Sequence, residues 1–509
     1  MIIVITGVTG NMGQAALREL VKIKEIEKFK LLVLPTDKKR WNKLAKSLKS
    51  HISKFEVVYG NLADKNDCEK LVKDSDYVIN MAAVIPPHSD QNPKQAIECN
   101  EIGVGVLVST IEKMKKQPKF IHISTMALYG NRNSKHIWGR VGDPLLVSPF
   151  DIYAATKLRG EFIVLESNIE NYVVLRQTAM LHHNMLSDNI SDGLMFHTCF
   201  NAPLEWVTDN DSGVLIANII KKDLQEDLND KFWKRCFNIS GGKDNQILGY
   251  QTLEDGFKII GGSTKDFFEP NYNALRNFHG LWFYDGDKLN DLFNYQSQTT
   301  NDLWQEVKKQ NSFICLGKIV PKKMIKKFVI KRLFKSPNAP KYWVKTNDEA
   351  KIYAYFGGKD KYYAIPKQWN KFPLLTNNKD ESNNEIDYVS LKENKNLVDF
   401  GIDIEKDNFS IEELRFYAKM HGGKLISTKI GGLYDKLKWQ NSDGEIFEAR
   451  PSTIVKNGHW FNITYKENAW DFDRLAKSDK IYAQIWYDSH DKNEDKFYFF
   501  TNDFDARMK

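Results

Sequence analysis

Ile2-Ile3-Val4-Ile5-Thr6-Gly7-Val8-Thr9-Gly10-Asn11-Met12-Gly13 is the stretch whose reading decides the fold of this 509-residue chain. Four consecutive apolar, mostly β-branched residues make a buried strand. The glycine-spaced turn then runs directly into a helical pattern from Gln14 to Ile23. Glycines at 7, 10 and 13 permit a tight turn and let the backbone approach a pyrophosphate, while the N-terminus of the following helix favours negative charge. Glycine triples also occur in ordinary turns. Placement between a first strand and a helix makes dinucleotide binding the stronger reading, with Thr9, Asn11 and Met12 filling out the loop.

Outward from this turn, short Val/Ile/Leu-rich runs alternate with longer helical patterns. Strands are expected at Ile2–Thr6, Lys30–Leu34, Lys54–Tyr59, Tyr77–Met81, Lys119–Ser124 and Tyr172–Arg176, with helical stretches such as Ala96–Lys115 between them. Apolar runs without strict alternation fit strands covered on both faces, so the expected fold is α/β, a Rossmann-type doubly wound parallel sheet. From about 180 to 310 helical pieces alternate with irregular ones, as in a small substrate-binding subdomain on a rigid scaffold.

Two further elements carry chemistry. In Tyr153-Ala154-Ala155-Thr156-Lys157 the tyrosine and lysine share one helix face a turn apart. An ammonium there favours the phenolate, lowering the tyrosine pKa so that it can trade a proton near neutrality. The strand Phe120-Ile121-His122-Ile123 ends in Ser124-Thr125, which places two hydroxyls at the carboxyl edge of the sheet, where ligands bind.

Taken in this order, the three elements make the chain resemble the extended short-chain dehydrogenase/reductase superfamily, the NAD-dependent epimerase/dehydratase family. Asn80-Met81-Ala82-Ala83 resembles the family's strand-four segment beside the cofactor, Asn92-Pro93 with Asn100 its next helix, and Asn61-Leu62 the place where the family has Asp-Leu against adenine. Leu175-Arg176, Phe237-Asn238-Ile239 and Asp285-Gly286-Asp287-Lys288-Leu289 resemble later family elements. The resemblance implies Tyr153 as general acid/base, Lys157 as the residue that lowers its pKa and holds the nicotinamide ribose, and Thr125, with Ser124 as alternative, bonding the reacting oxygen. It implies a nicotinamide cofactor held by residues 7 and 9–13 together with Asn61, Leu62, Ala82, Ala83, Asn100, Tyr153 and Lys157, no metal, and a homodimer.

Departures bear on substrate and cofactor. Met126-Ala127 stands where the family's nucleotide-sugar dehydratases carry Asp-Glu, and Ala179 where epimerases commonly carry an asparagine for the substrate pyrophosphate. Simple oxidoreduction of a carbonyl or secondary alcohol is therefore expected ahead of a nucleotide-sugar epimerase with retained NAD, and ahead of a non-catalytic cofactor sensor. After the second strand, Asp37 would accept ribose hydroxyls, but Lys38, Lys39 and Arg40 follow it and would neutralise a 2′-phosphate. NADP is favoured over NAD on that run.

The remaining composition bounds the rest. Residues 1–310 hold 38 Lys+Arg and 38 Asp+Glu, whereas 311–509 hold 35 and 28, so the net charge of +7 is local and argues against nucleic acid as a partner. Five cysteines without paired spacing, no long apolar span and no targeting segment suggest a cytoplasmic protein. The expected division is 1–310 for the cofactor and substrate domain, 311–345 as a basic amphipathic connector and 346–509 as a C-terminal α+β domain. In 321–335, seven basic and no acidic residues surround an expected apolar face of Ile325, Phe328, Val329 and Leu333, which suggests peripheral contact with an anionic membrane. Ser410 and Glu413 form a capping box for a helix through Met420. Residues 420–460 resemble a zinc-ribbon-like repeat whose ligand positions now read Asn441, Glu445, Phe461 and Thr464, with an apolar core of Trp439, Phe447, Trp460 and Phe461 in place of the metal. His182-His183 lacks a third ligand at a recognisable spacing and reads as loop histidines.

Overall fold

The computed structural model of the chain describes residues 1–132, 135–182, 185, 193–226, 228–229, 231–310, 318–375, 388–460 and 469–499. His183, Cys315, Phe461 and Thr464 lie outside the described residues.

Seven strands form one sheet: β1 (Ile2–Thr6), β2 (Lys28–Val33), β3 (Phe55–Tyr59), β4 (Tyr77–Asn80), β5 (Lys119–Thr125), β6 (Tyr172–Gln177) and β7 (Arg235–Ile239). Their order is β7-β6-β5-β4-β1-β2-β3 and every pairing is parallel. Ile3 faces Phe29 of β2 on one side and Tyr77 of β4 on the other. The strand order reverses at β1, which opens a crevice at the carboxyl ends of β1 and β4.

Side-chain alternation explains the two covered faces. Ile3 and Ile5 pack with Leu17 and Leu20 of α1 (Asn11–Leu20), while Val4 between them packs on the other face with Leu107 and Ile111 of α2 (Gly103–Glu112). The α3 helix (Ile152–Leu165) joins α2 on that face, and α4 (Asp209–Glu226) lies beside α1. This is the expected doubly wound sheet.

A smaller three-stranded sheet (Ala179–Leu181, Pro203–Thr208, Gln246–Leu248) and α5 (Gly249–Ile259) build the 180–310 region. The C-terminal segments pack directly on it. One hydrophobic cluster joins Leu128, Leu158, Phe196 and Phe268 to Trp343, Tyr417, Trp460 and Tyr482, so the boundaries expected at 310 and 345 fall between segments that share a core.

In the C-terminal part, Ser410 and Glu413 cap the helix Ile411–Met420 reciprocally. The strands Lys424–Leu425, Leu437–Gln440 and Ile446–Ala449 form an antiparallel sheet. Trp439 and Phe447 meet Trp460 edge to face. Asn441 closes the hairpin by accepting from the backbone N–H of Asp443 and Glu445. Among the described residues no group of three or more His, Cys, Asp or Glu is placed to hold a metal ion. None of their helices is long and apolar enough to cross a membrane.

The basic segment is helical from 322 to 333, with a π turn at Lys326–Ile330. That turn corrects the expected apolar face. A wider turn rotates the residues after it, so Ile330 is buried with Leu333 whereas Phe328 points outward, 60% exposed.

Candidate active site

The glycine turn has the geometry expected of a pyrophosphate cradle. Gly7 has φ +70°, and a Cβ there would stand 2.6 Å from the Ala82 nitrogen and the Met81 carbonyl; a Cβ on Gly13 would stand 2.2 Å from the Gly7 oxygen. Only glycine lets strand, loop and helix approach this closely. Gly10 is the N-cap of α1 and supplies no side chain to its first N–H groups. With Asn11 and Met12 these form an uncapped helix N-terminus suited to an anion. Ala82 donates its N–H to Thr6, and Ala83 continues the wall beyond it.

Beyond β2 a carboxylate, rather than the basic run, reaches this loop. Asp37 Oδ2 accepts from Thr9 Oγ1 at 3.0 Å. Lys38 turns its ammonium over the Tyr59 ring, and Arg40, 70% exposed, lies 3.7 Å from Asp37 itself. Lys38 and Arg40 of the basic run read as a 2′-phosphate site thus turn to Tyr59 and to Asp37. Asn61 bonds Glu98 and the Ala63 N–H, and Leu62 is buried against Gly103. Asn100, expected at the cofactor, is fully buried and uses its amide on Val84 and Thr156, tying the loop after β4 to α3.

Tyr153, Lys157 and Thr125 meet where β5 ends against α3, and Ser124 precedes Thr125 on that strand. The N-cap Asp151 accepts from the Ala154 N–H at 2.8 Å and starts α3 just before Tyr153. The Thr125 hydroxyl accepts the Ala127 N–H at 3.2 Å and stands close enough to the Tyr153 phenol to pull its pKa down. Lys157 donates from Nζ to the Ile123 carbonyl at 2.6 Å. Ser124 Oγ is buried with no hydrogen-bond partner. The electrostatics differ from the expectation. Burial raises the Tyr153 phenol to about 12, with the Thr125 hydroxyl pulling downward and Asp151 adding to the rise. Burial also lowers Lys157 to about 8, against the pull of Cys99 and Glu161. Desolvation is the largest cause for both groups and Lys157 is not among those that shift Tyr153, so the expected lowering of the tyrosine is replaced by a rise.

Two features could not be read from spacing. Glu161, one turn beyond Lys157, accepts from Arg176 and lies 2.8 Å from His459 Nε2, all three fully buried. Arg176 also bonds the Asn457 carbonyl and the Tyr129 hydroxyl. The second is a cavity of about 410 Å³ beside Asp151. Asp151 and His279 pair at 2.9 Å in its wall, and Leu253, Phe257 and Trp304 line much of the rest.

Residues 3–182 match the model of the NAD dependent epimerase/dehydratase family. The chain is similar to a dTDP-glucose 4,6-dehydratase from Streptomyces venezuelae solved with NAD, at 16% identity and a TM-score of 0.50 over 62% of this chain and 98% of that one. It is also similar to a UDP-glucuronic acid 4-epimerase from Bacillus cereus solved with UDP-glucuronic acid and NAD, at 21% identity and a TM-score of 0.48 over 62% of this chain and 99% of that one. The first likeness bears out the Rossmann-type fold. No curated protein matches the chain.

Proposed function

We propose that this chain, an NAD-dependent enzyme by the family match of its N-terminal domain, is an oxidoreductase for a carbonyl or secondary-alcohol substrate, with Tyr153 as its acid/base. The observation that carries this reading is the buried Tyr153 phenol beside the Thr125 hydroxyl at the carboxyl end of β5, one helical turn from Lys157, which is anchored on the same strand. A bound nicotinamide would supply or accept the hydride. Tyr153 would hold the proton that the substrate oxygen gains or loses, and the Thr125 hydroxyl would align that oxygen. Ser124, the alternative hydroxyl, precedes Thr125 on the strand and its Oγ is buried without a partner. The Lys157 ammonium, anchored on the Ile123 carbonyl, would hold the ribose.

The cofactor that fits is NAD. A carboxylate on the glycine loop, Asp37, suits ribose hydroxyls and repels a 2′-phosphate. This reading replaces the preference for NADP suggested by the basic run.

Tyr153→Phe tests the assignment. It should lower turnover of NADH with a panel of ketones by at least about 100-fold while leaving NAD binding within about twofold, because the phenyl ring keeps its packing. Undiminished turnover would remove Tyr153 from the mechanism. The family match also favours a second reading, an epimerisation that oxidises and re-reduces one substrate on retained NAD. NAD that survives dialysis and never accumulates as NADH would select it.

A further inference from the structure

The cavity beside Asp151, two residues before Tyr153, and the basic helix are parts of one structure. Ile325, Val329, Ile330 and Leu333 of helix 322–333 line the cavity together with Leu253 and Phe257 of α5. Its size falls in the range of small-molecule pockets. Four of the polar groups in its wall come from two short segments, and Asp90, His197, Thr198 and Thr252 add others. Segment 148–151, just before Tyr153, supplies Ser148 and Asp151; segment 277–279 supplies Asn277 and His279. Ser148 Oγ and Asn277 Oδ1 are buried there without hydrogen-bond partners. Such a wall suits a molecule with a bulky apolar body and one or two polar oxygens. Among the described residues it offers no cationic cluster for a diphosphate.

The same helix presents a different outer face. Lys322 and Lys326 turn inward to Asp266 (2.6 Å) and Glu269 (3.1 Å), which fixes the helix to the body of the protein. Lys323, Lys327, Lys331, Arg332 and Lys335 are exposed, with Met324 (48% exposed) and Phe328 (60%) among them and Ile319 (79%) just ahead. Water solvates the cations but not the apolar side chains. An anionic lipid surface satisfies both, taking Met324 and Phe328 at the acyl boundary and the cations at the headgroups.

We propose that helix 322–333 seats the protein on anionic membranes and that the cavity behind it takes a lipid alcohol or ketone drawn from that membrane. This deepens the oxidoreductase reading and rests on it.

Flotation of the full chain with vesicles of phosphatidylcholine, alone or mixed with phosphatidylserine, tests the surface. The chain should float with the mixed vesicles only. The triple variant Lys323→Glu/Lys327→Glu/Lys331→Glu and the single variant Phe328→Asp should each reduce that binding by more than about tenfold. A pyrene-labelled fatty alcohol tests the cavity. Leu253→Trp, which fills it, should weaken alcohol binding by about tenfold or more and leave vesicle flotation unchanged. Equal flotation of the intact chain and the triple variant, or alcohol binding indifferent to Leu253→Trp, would overturn the inference. NAD titration of the same samples separates the two levels: NAD binding without lipid or alcohol binding removes this inference alone, whereas loss of NAD binding in the intact chain removes the reading beneath it.

Discussion

His459 Nε2 lies 2.8 Å from Glu161 Oε1, joining residues 298 positions apart in sequence. Glu161 sits one turn beyond Lys157 on α3 and also receives Arg176 from β6, so a C-terminal loop braces the helix that carries Tyr153 and Lys157.

Removing the shared carboxylate should be severe. Glu161→Ala leaves Arg176 buried without its partner and should cost about 3–5 kcal/mol in urea unfolding. His459→Ala should cost less, about 1–3 kcal/mol, and should lower kcat more than it changes KM, because His459 acts through the helix and not on substrate. Partial recovery of kcat in His459→Gln would mark the hydrogen bond as the cause. A His459→Ala protein with wild-type stability and kcat would leave the brace without a role.

The same pair makes stability fall in acid. Burial alone would raise Glu161, but Arg176 and the His459 bond outweigh it and hold the carboxyl well below 4.5. Burial lowers His459 below 6.5, against the pull of Glu161. Both groups bind protons less readily folded than unfolded. Their contribution is therefore complete above the unfolded values and is lost as pH drops, first below 6.5 for His459 and then below 4.5 for Glu161. Urea midpoints should decline from about pH 7 to about pH 4, and Glu161→Gln should flatten the lower part of that decline.

Lys157 should set an alkaline limb. With burial pushing it down to about 8, its ammonium loses its proton as pH rises through that value. The rate with NAD and a secondary alcohol should bend downward near pH 8. Lys157→Arg, charged at every accessible pH, should move the bend upward. A bend that stays in place would assign it to another group.

Asp37→Ser should change cofactor choice. Without the carboxylate at Thr9, the exposed Arg40 loses its partner and can meet a 2′-phosphate. The NADP/NAD ratio of kcat/KM should rise by about tenfold or more. An unchanged ratio would place the ribose elsewhere.

Gly13→Ala tests the cradle itself. Its Cβ would stand 2.2 Å from the Gly7 oxygen, so backbone must move. NAD affinity should drop by at least about tenfold, in excess of any change in thermal midpoint. Wild-type NAD titration would move the pyrophosphate away from this turn.

Much of the core fold was legible because its signals are local. The strand, turn and helix at Ile2–Leu20 follow from apolar texture and from glycines whose missing Cβ atoms leave room for backbone, and alternation along β1 assigns Ile3 and Ile5 to one face and Val4 to the other. The box at Ser410 and Glu413 was equally local. Helix 322–333 marks the limit of that method. A 3.6-residue period puts Phe328 with Ile325, but the π turn rotates it to the outside, and no spacing rule announces such a turn.

By itself the sequence determined the strands of the sheet and the glycine turn that follows the first of them, since each depends on residues within a few positions of one another. The tertiary structure alone decided the rest: that burial raises Tyr153 and lowers Lys157, that Asp37 rather than its basic neighbours reaches the glycine loop, and that His459 closes on Glu161. Those outcomes depend on how much water each group loses and which distant side chain replaces it. Desolvation and long-range contacts are properties of the packed molecule and leave no periodicity in the chain.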